Sequence, residues 1–414
     1  MEFLDLDINL TKEDRMLKAN ANEFARKVMR PIARELDEMT PEQVIAKGSP
    51  FWTFMKKSYE LGYHSILIPD AYGGMGLSPL QQAIVFEELA WGSVGLTVAI
   101  GVSSFPAFGA AMVPEETMVE EILIPYCENR DVSFIGCWGI TEPDHGSDTL
   151  MPFHPSFSDP SIPSQCIATP DGDDYILNGQ KSSWVSCGTI ATHCALFCQI
   201  DKSMGHAGGG IFAIPLDLPG VKKGAPLNKI GQRDLNQGEI FFDNVRVPGK
   251  YLIAGPEAYE ALLEIVLSTT TAFMGIVGTG VARAAFEEAL AYAKNRVQGG
   301  KALIEYPTIQ SKLFHMLRKV ETSRAISRAA FVYNQNTSTP AEEYSLIAKV
   351  HGTQAAFDVA NEAVQIFGGN GLTKEYLIEK LFRDARAMMI EDGSNDTLAI
   401  SGGHKIIETY PRRD

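Results

Sequence analysis

The chain has 414 residues, with 36 basic against 51 acidic side chains, for a formal net charge of −15. Apolar residues make up 45% and charged residues 21%, an ordinary globular composition with room for two or three domains. The acidic balance excludes a basic nucleic-acid face and argues against an anionic membrane surface, and no apolar run approaches the roughly 20 residues that span a bilayer. Residues 1–10 are acidic and lack a base, unlike a signal or transit peptide. Six Cys without CxxC spacing fit a reducing compartment, and the expected location is the cytoplasm.

In chain order, the first zone (1–133) reads as helices. Thr11 caps a start followed by acids, and Leu17, Ala21, Phe24 and Val28 recur at helical spacing. Pro31 marks a kink or break. A glycine-rich turn at 69–76 precedes a helix over 79–90 and a nearly uncharged, buried stretch over 94–112. The middle zone (134–250) alternates short β-type runs with turn residues. Asn178-Gly179 reads as a hairpin turn, and 194–200, 210–215 and 239–248 as strands of a barrel or sandwich. The last zone (251–414) is helical again. It has an Ala-rich helix over 277–296 and another over 344–367, which ends in Gly368-Gly369. The fold class is therefore α+β and multidomain, with no doubly wound sheet.

Several motifs invite chemistry. Gly275, Gly278 and Gly280 resemble a dinucleotide loop but lie inside a helical pattern. Small residues for close helix packing account for them better. His193, Cys194 and Cys198 cluster in sequence, yet strand alternation splits them; buried strand residues are expected, and no metal site. The Gly-rich loop 205–210, with His206, leaves a phosphate nest open. There is no nucleophile elbow. The turn 141–148 (TEPDHGSD) is the unusual one, rich in backbone N–H groups and hydroxyls that suit an anionic or polar-ring ligand.

Six ordered motifs together resemble the acyl-CoA dehydrogenases. They are ITEPDHGSD (140–148), NGQKSSWVS (178–186), GQR through VRVP (231–248), YAKNR (292–296), QIFGGNG (365–371) and EKLFRDAR (379–386). The resemblance covers about residues 10 to 410. It implies an N-terminal helical domain, a central β domain and a C-terminal four-helix bundle. It also implies FAD, an acyl-CoA substrate, a homotetramer, and an electron-transfer flavoprotein as acceptor. Carried over by position, Thr141, Ser147, Trp184, Ser186, Arg296, Gln365, Gly369 and Ser394 fall on FAD contacts, and Ser147 also on the substrate. Arg296 corresponds to an arginine that pairs with a neighbouring subunit's FAD pyrophosphate.

Family chemistry needs a base for the proton beside the thioester carbonyl and a hydride acceptor for the adjacent carbon. Where members usually carry a Glu, this chain reads Glu391-Asp392-Gly393, which places Asp392 at the base position. Glu391 replaces the usual aromatic and is the other candidate base. A second subgroup's base position maps to Thr270, which cannot serve. Asp reaches roughly 1.5 Å less far than Glu. An Asp base is similar to the sister nitroalkane oxidases, but Ala399 stands where that family has an arginine. A base-deficient acyl-CoA-binding homologue is the non-enzyme alternative. Leu96 near the glutaryl-type arginine position disfavours a dicarboxylic tail. Trp91, Leu96, Val98, Phe105 and Phe108, with Thr270, are candidates to line a pocket for a branched, cyclic or aromatic acyl group. A Pro/Ser-rich insertion at 151–164 reads as a surface loop.

Overall fold

The computed structural model describes residues 5–410. Helix α1 (Lys12–Phe24) starts at a reciprocal cap between Thr11 and Asp14. A π-helical turn, Ala25–Met29, joins it to α2 (Arg30–Asp37). Pro31 sits in the first turn of α2, where its missing N–H costs little, so the helix continues rather than breaks. Helices α3 (Pro50–Glu60), α4 (Pro79–Gly92), α5 (Val94–Ser103) and α6 (Phe105–Met112) complete the main N-terminal layer. Residues 82–92 of α4 are all buried, as the uniformly apolar pattern requires.

Eight strands form one mixed sheet: β1 (Gly136–Gly139), β2 (Ile167–Asp171), β3 (Asp174–Ser186), β4 (His193–Gln199), β5 (Gly209–Pro215), β6 (Val221–Lys223), β7 (Gln237–Pro248) and β8 (Leu252–Ala254). Their order is β6-β7-β3-β2-β4-β5-β8, with β1 parallel beside β4. The Asn178-Gly179 pair is not the expected hairpin turn. It lies inside β3, at a register shift between Leu177 and Gly179 against β7. A Cβ on Gly179 would come within 2.6 Å of the Cys166 backbone, so the glycine permits a bulge under a close strand. The β2–β3 turn instead uses Gly172, at φ +65°.

The C-terminal layer comprises α7 (Pro256–Asn295), α8 (Pro307–Gln335), α9 (Glu342–Phe367), α10 (Ile378–Met388) and α11 (Asn395–Thr409). Helix α7 starts some twenty residues before the expected 277. Contrary to the expectation that no apolar run is that long, it is long and apolar enough to cross a membrane, and 83% of that stretch is buried inside the protein. Its glycines are packing sites: a Cβ on Gly278 would lie 2.7 Å from Gly352 of α9, and one on Gly280 2.5 Å from the Glu87 carbonyl of α4. Across the same seam Glu87 receives Arg283, Arg324 and Arg328, and Glu88 receives Arg283. The insertion at 151–164 is packed rather than open, because buried Phe157 stacks over Tyr259 of α7.

Candidate active site

Two loops meet between the sheet and the last helices. The first is the turn 141–148. Its Glu142 and His145 backbones pair with each other, and the Thr141 carbonyl accepts the Ser182 N–H of β3 at 2.8 Å. The Glu142 carboxylate is buried. It accepts the backbone N–H of Gln165 and Cys166 and pairs with buried Lys181 at 2.6 Å. These bonds fix the turn before any ligand arrives.

The second loop, 390–394, joins α10 to α11. Asp392 stands at φ +54° and Gly393 at φ +93°. Asp is among the few side chains that tolerate this region, so a glycine follows it but is not needed in its place. The Ser394 N–H donates to the Ser147 hydroxyl at 2.8 Å, which joins the two loops. From α9, fully buried Lys349 donates to the Gly393 carbonyl at 2.5 Å and to Asn395 Oδ1 at 2.9 Å. Thr353 adds a bond to the same Asn395 oxygen.

The two acids differ in their partners. Glu391 accepts Gln232 Nε2 at 2.5 Å. Burial pushes its carboxyl up to about 7, against the Gln232 bond and the Lys229 and Lys349 charges. The Asp392 carboxylate has no hydrogen-bond partner among the described residues. Burial pushes it up to about 6, opposed by Lys349. Burial also lowers two lysines to about 8: Lys229, opposed by Glu391, Asp234 and Asp384, and Lys349, opposed by Asp392 and Glu391. A base near neutrality can both hold and release a proton at working pH.

Other sequence candidates join this centre to different degrees. Ser186 accepts Gln237 Nε2 at 3.0 Å, and Lys229 donates to Gln237 Oε1 and the Leu235 carbonyl, so β3 is linked to the loop beside Glu391. Trp184 is 59% exposed and offers an aromatic face at that edge. Thr270 is buried, and its hydroxyl donates to the Val266 carbonyl within α7, in keeping with a position that cannot act as base. Trp91 is engaged elsewhere. Its indole N–H goes to Glu287 and its ring lies under the Arg30 guanidinium at 3.3 Å, in the seam of α2, α4 and α7. Leu96 is buried in α5, whose N-terminus meets the loop after Gln232 through the Ser93–Asp234 bond. Phe105 and Phe108 line an apolar cleft with Trp138, Phe197 and Val266. Arg296 lies at the exposed end of α7, without an ion-pair partner among the described residues. Gln365 sits in the last turn of α9 and Gly369 just beyond it, at the end of the helix away from Lys349.

Sequence reasoning missed Lys229, Gln232, Lys349 and Asn395 as parts of the site. Gln232 sits inside a quoted motif, but nothing local shows that it reaches Glu391.

Comparison with known proteins gives matches along nearly the whole chain. Family models for the N-terminal, middle and C-terminal domains of acyl-CoA dehydrogenases match residues 11–122, 137–245 and 266–404. The chain is 31% identical to the probable acyl-CoA dehydrogenase YngJ of Bacillus subtilis, over 94% of this chain and 97% of that protein. Among solved structures, butyryl-CoA dehydrogenase from Megasphaera elsdenii is 27% identical, with 97% of this chain and all of that chain covered at a TM-score of 0.85. A structure described as the electron transferring flavoprotein of Acidaminococcus fermentans is 28% identical, with the same coverage and TM-score. The chain therefore belongs to the acyl-CoA dehydrogenase family, oxidoreductases that act on CH–CH bonds.

Proposed function

We propose that the protein is an FAD-dependent acyl-CoA dehydrogenase in which Asp392 removes the α-proton of the thioester. The observation that carries this reading is the Ser147–Ser394 bond. It sets the 141–148 turn against a loop whose Asp392 carboxylate is free and raised to about 6. Glu391 is tied to Gln232 and is therefore less free to take that proton. Asp392 lies on a loop turned through positive φ.

The residues present fit FAD. Exposed Trp184 offers a ring face, Ser147 and Ser186 offer hydroxyls, and unpaired Arg296 offers a fork for phosphate. FAD would supply the acceptor for the β-hydride. Arg296, Gln365 and Gly369 lie away from the base loop, which fits contacts to the cofactor of a neighbouring subunit in a homotetramer. An electron transferring flavoprotein is the acceptor we favour, and the cytoplasm the location. A branched, cyclic or aromatic acyl group is the substrate of this reading, although the cleft at Phe105 and Phe108, about 20 Å³, is too small to hold one as it stands.

The test is anaerobic titration of the purified yellow protein with a panel of acyl-CoAs plus nitroethane. Bleaching near 450 nm by one acyl-CoA class supports the reading. Bleaching by nitroethane alone, or by nothing on the panel, overturns it.

A further inference from the structure

Beside the 141–148 turn lies a cluster that the dehydrogenase reading does not use. His145 Nδ1 is 2.8 Å from Asp148 Oδ2, and His206 Nε2 is 3.4 Å from the same oxygen. All three donor atoms lie within 4.8 Å of one another. The two imidazoles come from different segments, the turn before β2 and the loop between β4 and β5, and their rings stand edge to face at 4.8 Å.

His206 is the informative member. It is 2% exposed, and its Nε2 has no hydrogen bond that satisfies it. Its other nitrogen, Nδ1, sits 2.9 Å from the Ser164 hydroxyl. The Ser164 contact is compatible with either tautomer. In the one whose Nδ1–H donates to Ser164, the Nε2 lone pair faces the Asp148 carboxylate, and that pair of electron-rich atoms suits a positive bridge, a proton or a metal ion. Asp148 Oδ1 is separately held by the Gly146 N–H at 2.6 Å. Each of these outer bonds orients a donor toward the common centre, as supporting residues around metal sites do.

We propose that His145, Asp148 and His206 bind one Zn²⁺ ion per chain. Two neutral imidazoles and one carboxylate make the three-ligand set that zinc accepts, with a water in the fourth position. Donors about 2.0–2.2 Å from zinc stand roughly 3.3 Å apart, close to the 3.4 Å between His206 and Asp148. Binding requires an opening of the His145–Asp148 contact, whose Asp148 side chain is 41% exposed. The ion would clamp the turn that carries Ser147 to the β4–β5 loop.

The test uses the full-length protein as purified, stripped with a chelator and dialysed against buffered zinc chloride. The expected result is one zinc per chain by elemental analysis. His145→Ala and Asp148→Asn should each weaken binding by more than the roughly 10–100-fold that loss of an outer partner costs. Zinc should also raise the Tm of the unsubstituted protein and leave that of both variants unchanged. The unsubstituted protein needs no variant to fold: an X-ray absorption edge showing two imidazoles and a carboxylate supports the site. Substoichiometric zinc in that protein, or equal binding by the variants, overturns it and leaves a hydrogen-bonded triad.

Discussion

The protein buries charge in two places and treats it in opposite ways. Between α4, α7 and α8, Glu87 meets Arg283, Arg324 and Arg328 at 3.0–3.1 Å. Burial alone would raise the Glu87 carboxyl, yet the three guanidiniums hold it well below the usual carboxylate range. Around the 390–394 loop the balance runs the other way. Glu391 and Asp392 rise to about 7 and 6, and Lys229 and Lys349 fall to about 8. The first cluster is matched and stays ionised, which makes it scaffold. The second is undermatched, and its groups sit where a proton can move. Perturbation toward neutrality, rather than burial, separates chemistry from framework here.

Substitutions should separate the two regions. The largest effect is expected from Asp392→Asn. Stopped-flow flavin reduction by the active acyl-CoA should fall by about 10²–10⁴-fold, the usual share of a general base. Glu391→Gln should cost far less, and the reverse order would move the base to Glu391. In the framework, Glu87→Gln should lower stability by about 3–5 kcal/mol in urea unfolding, because it leaves buried guanidiniums uncompensated. Flavin reduction by the folded fraction should stay within about twofold of the unsubstituted rate.

A smaller effect has the opposite sign in the site. A carboxyl whose folded pKa is raised contributes stability below its unfolded pKa and loses it as pH rises through the folded value. Asp392 and Glu391 should therefore cost the ligand-free protein stability between pH 4 and 8. Asp392→Asn should recover about 1–2 kcal/mol at pH 8, seen as a higher Tm, and little at pH 4. A loss of stability at pH 8 would place Asp392 in the framework instead.

The sequence made the layers legible because their signals are local. The Thr11 cap, the mid-helix Gly275 to Gly280 and the short β runs each depend on near neighbours. The site was legible only through resemblance, which placed Ser147, Ser394 and Asp392 but not their contacts. Lys349 reads as one more helical lysine, and only the α9–α11 packing aims it at Gly393. Trp91 failed as a pocket candidate for a related reason. Its apolar surroundings are those of any core position, and Arg30, 61 residues upstream, decides its neighbour. The Asn178-Gly179 pair misled because a bulge and a turn draw on the same glycine freedom.

Lys349 offers the finest discrimination between the two regions. Lowered only to about 8, it is cationic near pH 6, where Asp392 titrates. Its charge favours the ionised acid, so Lys349→Met should raise the Asp392 pKa. The acid limb of the flavin-reduction profile should then move to higher pH. A merely structural lysine would lower the rate at every pH and leave the limb in place. Lys349→Arg keeps the charge but not the fit to Gly393 and Asn395, so it should lower the rate without moving the limb. If the limb moves equally in both variants, geometry rather than charge sets the acidity of Asp392. The 390–394 loop would then resemble the Glu87 framework more than its titration implies.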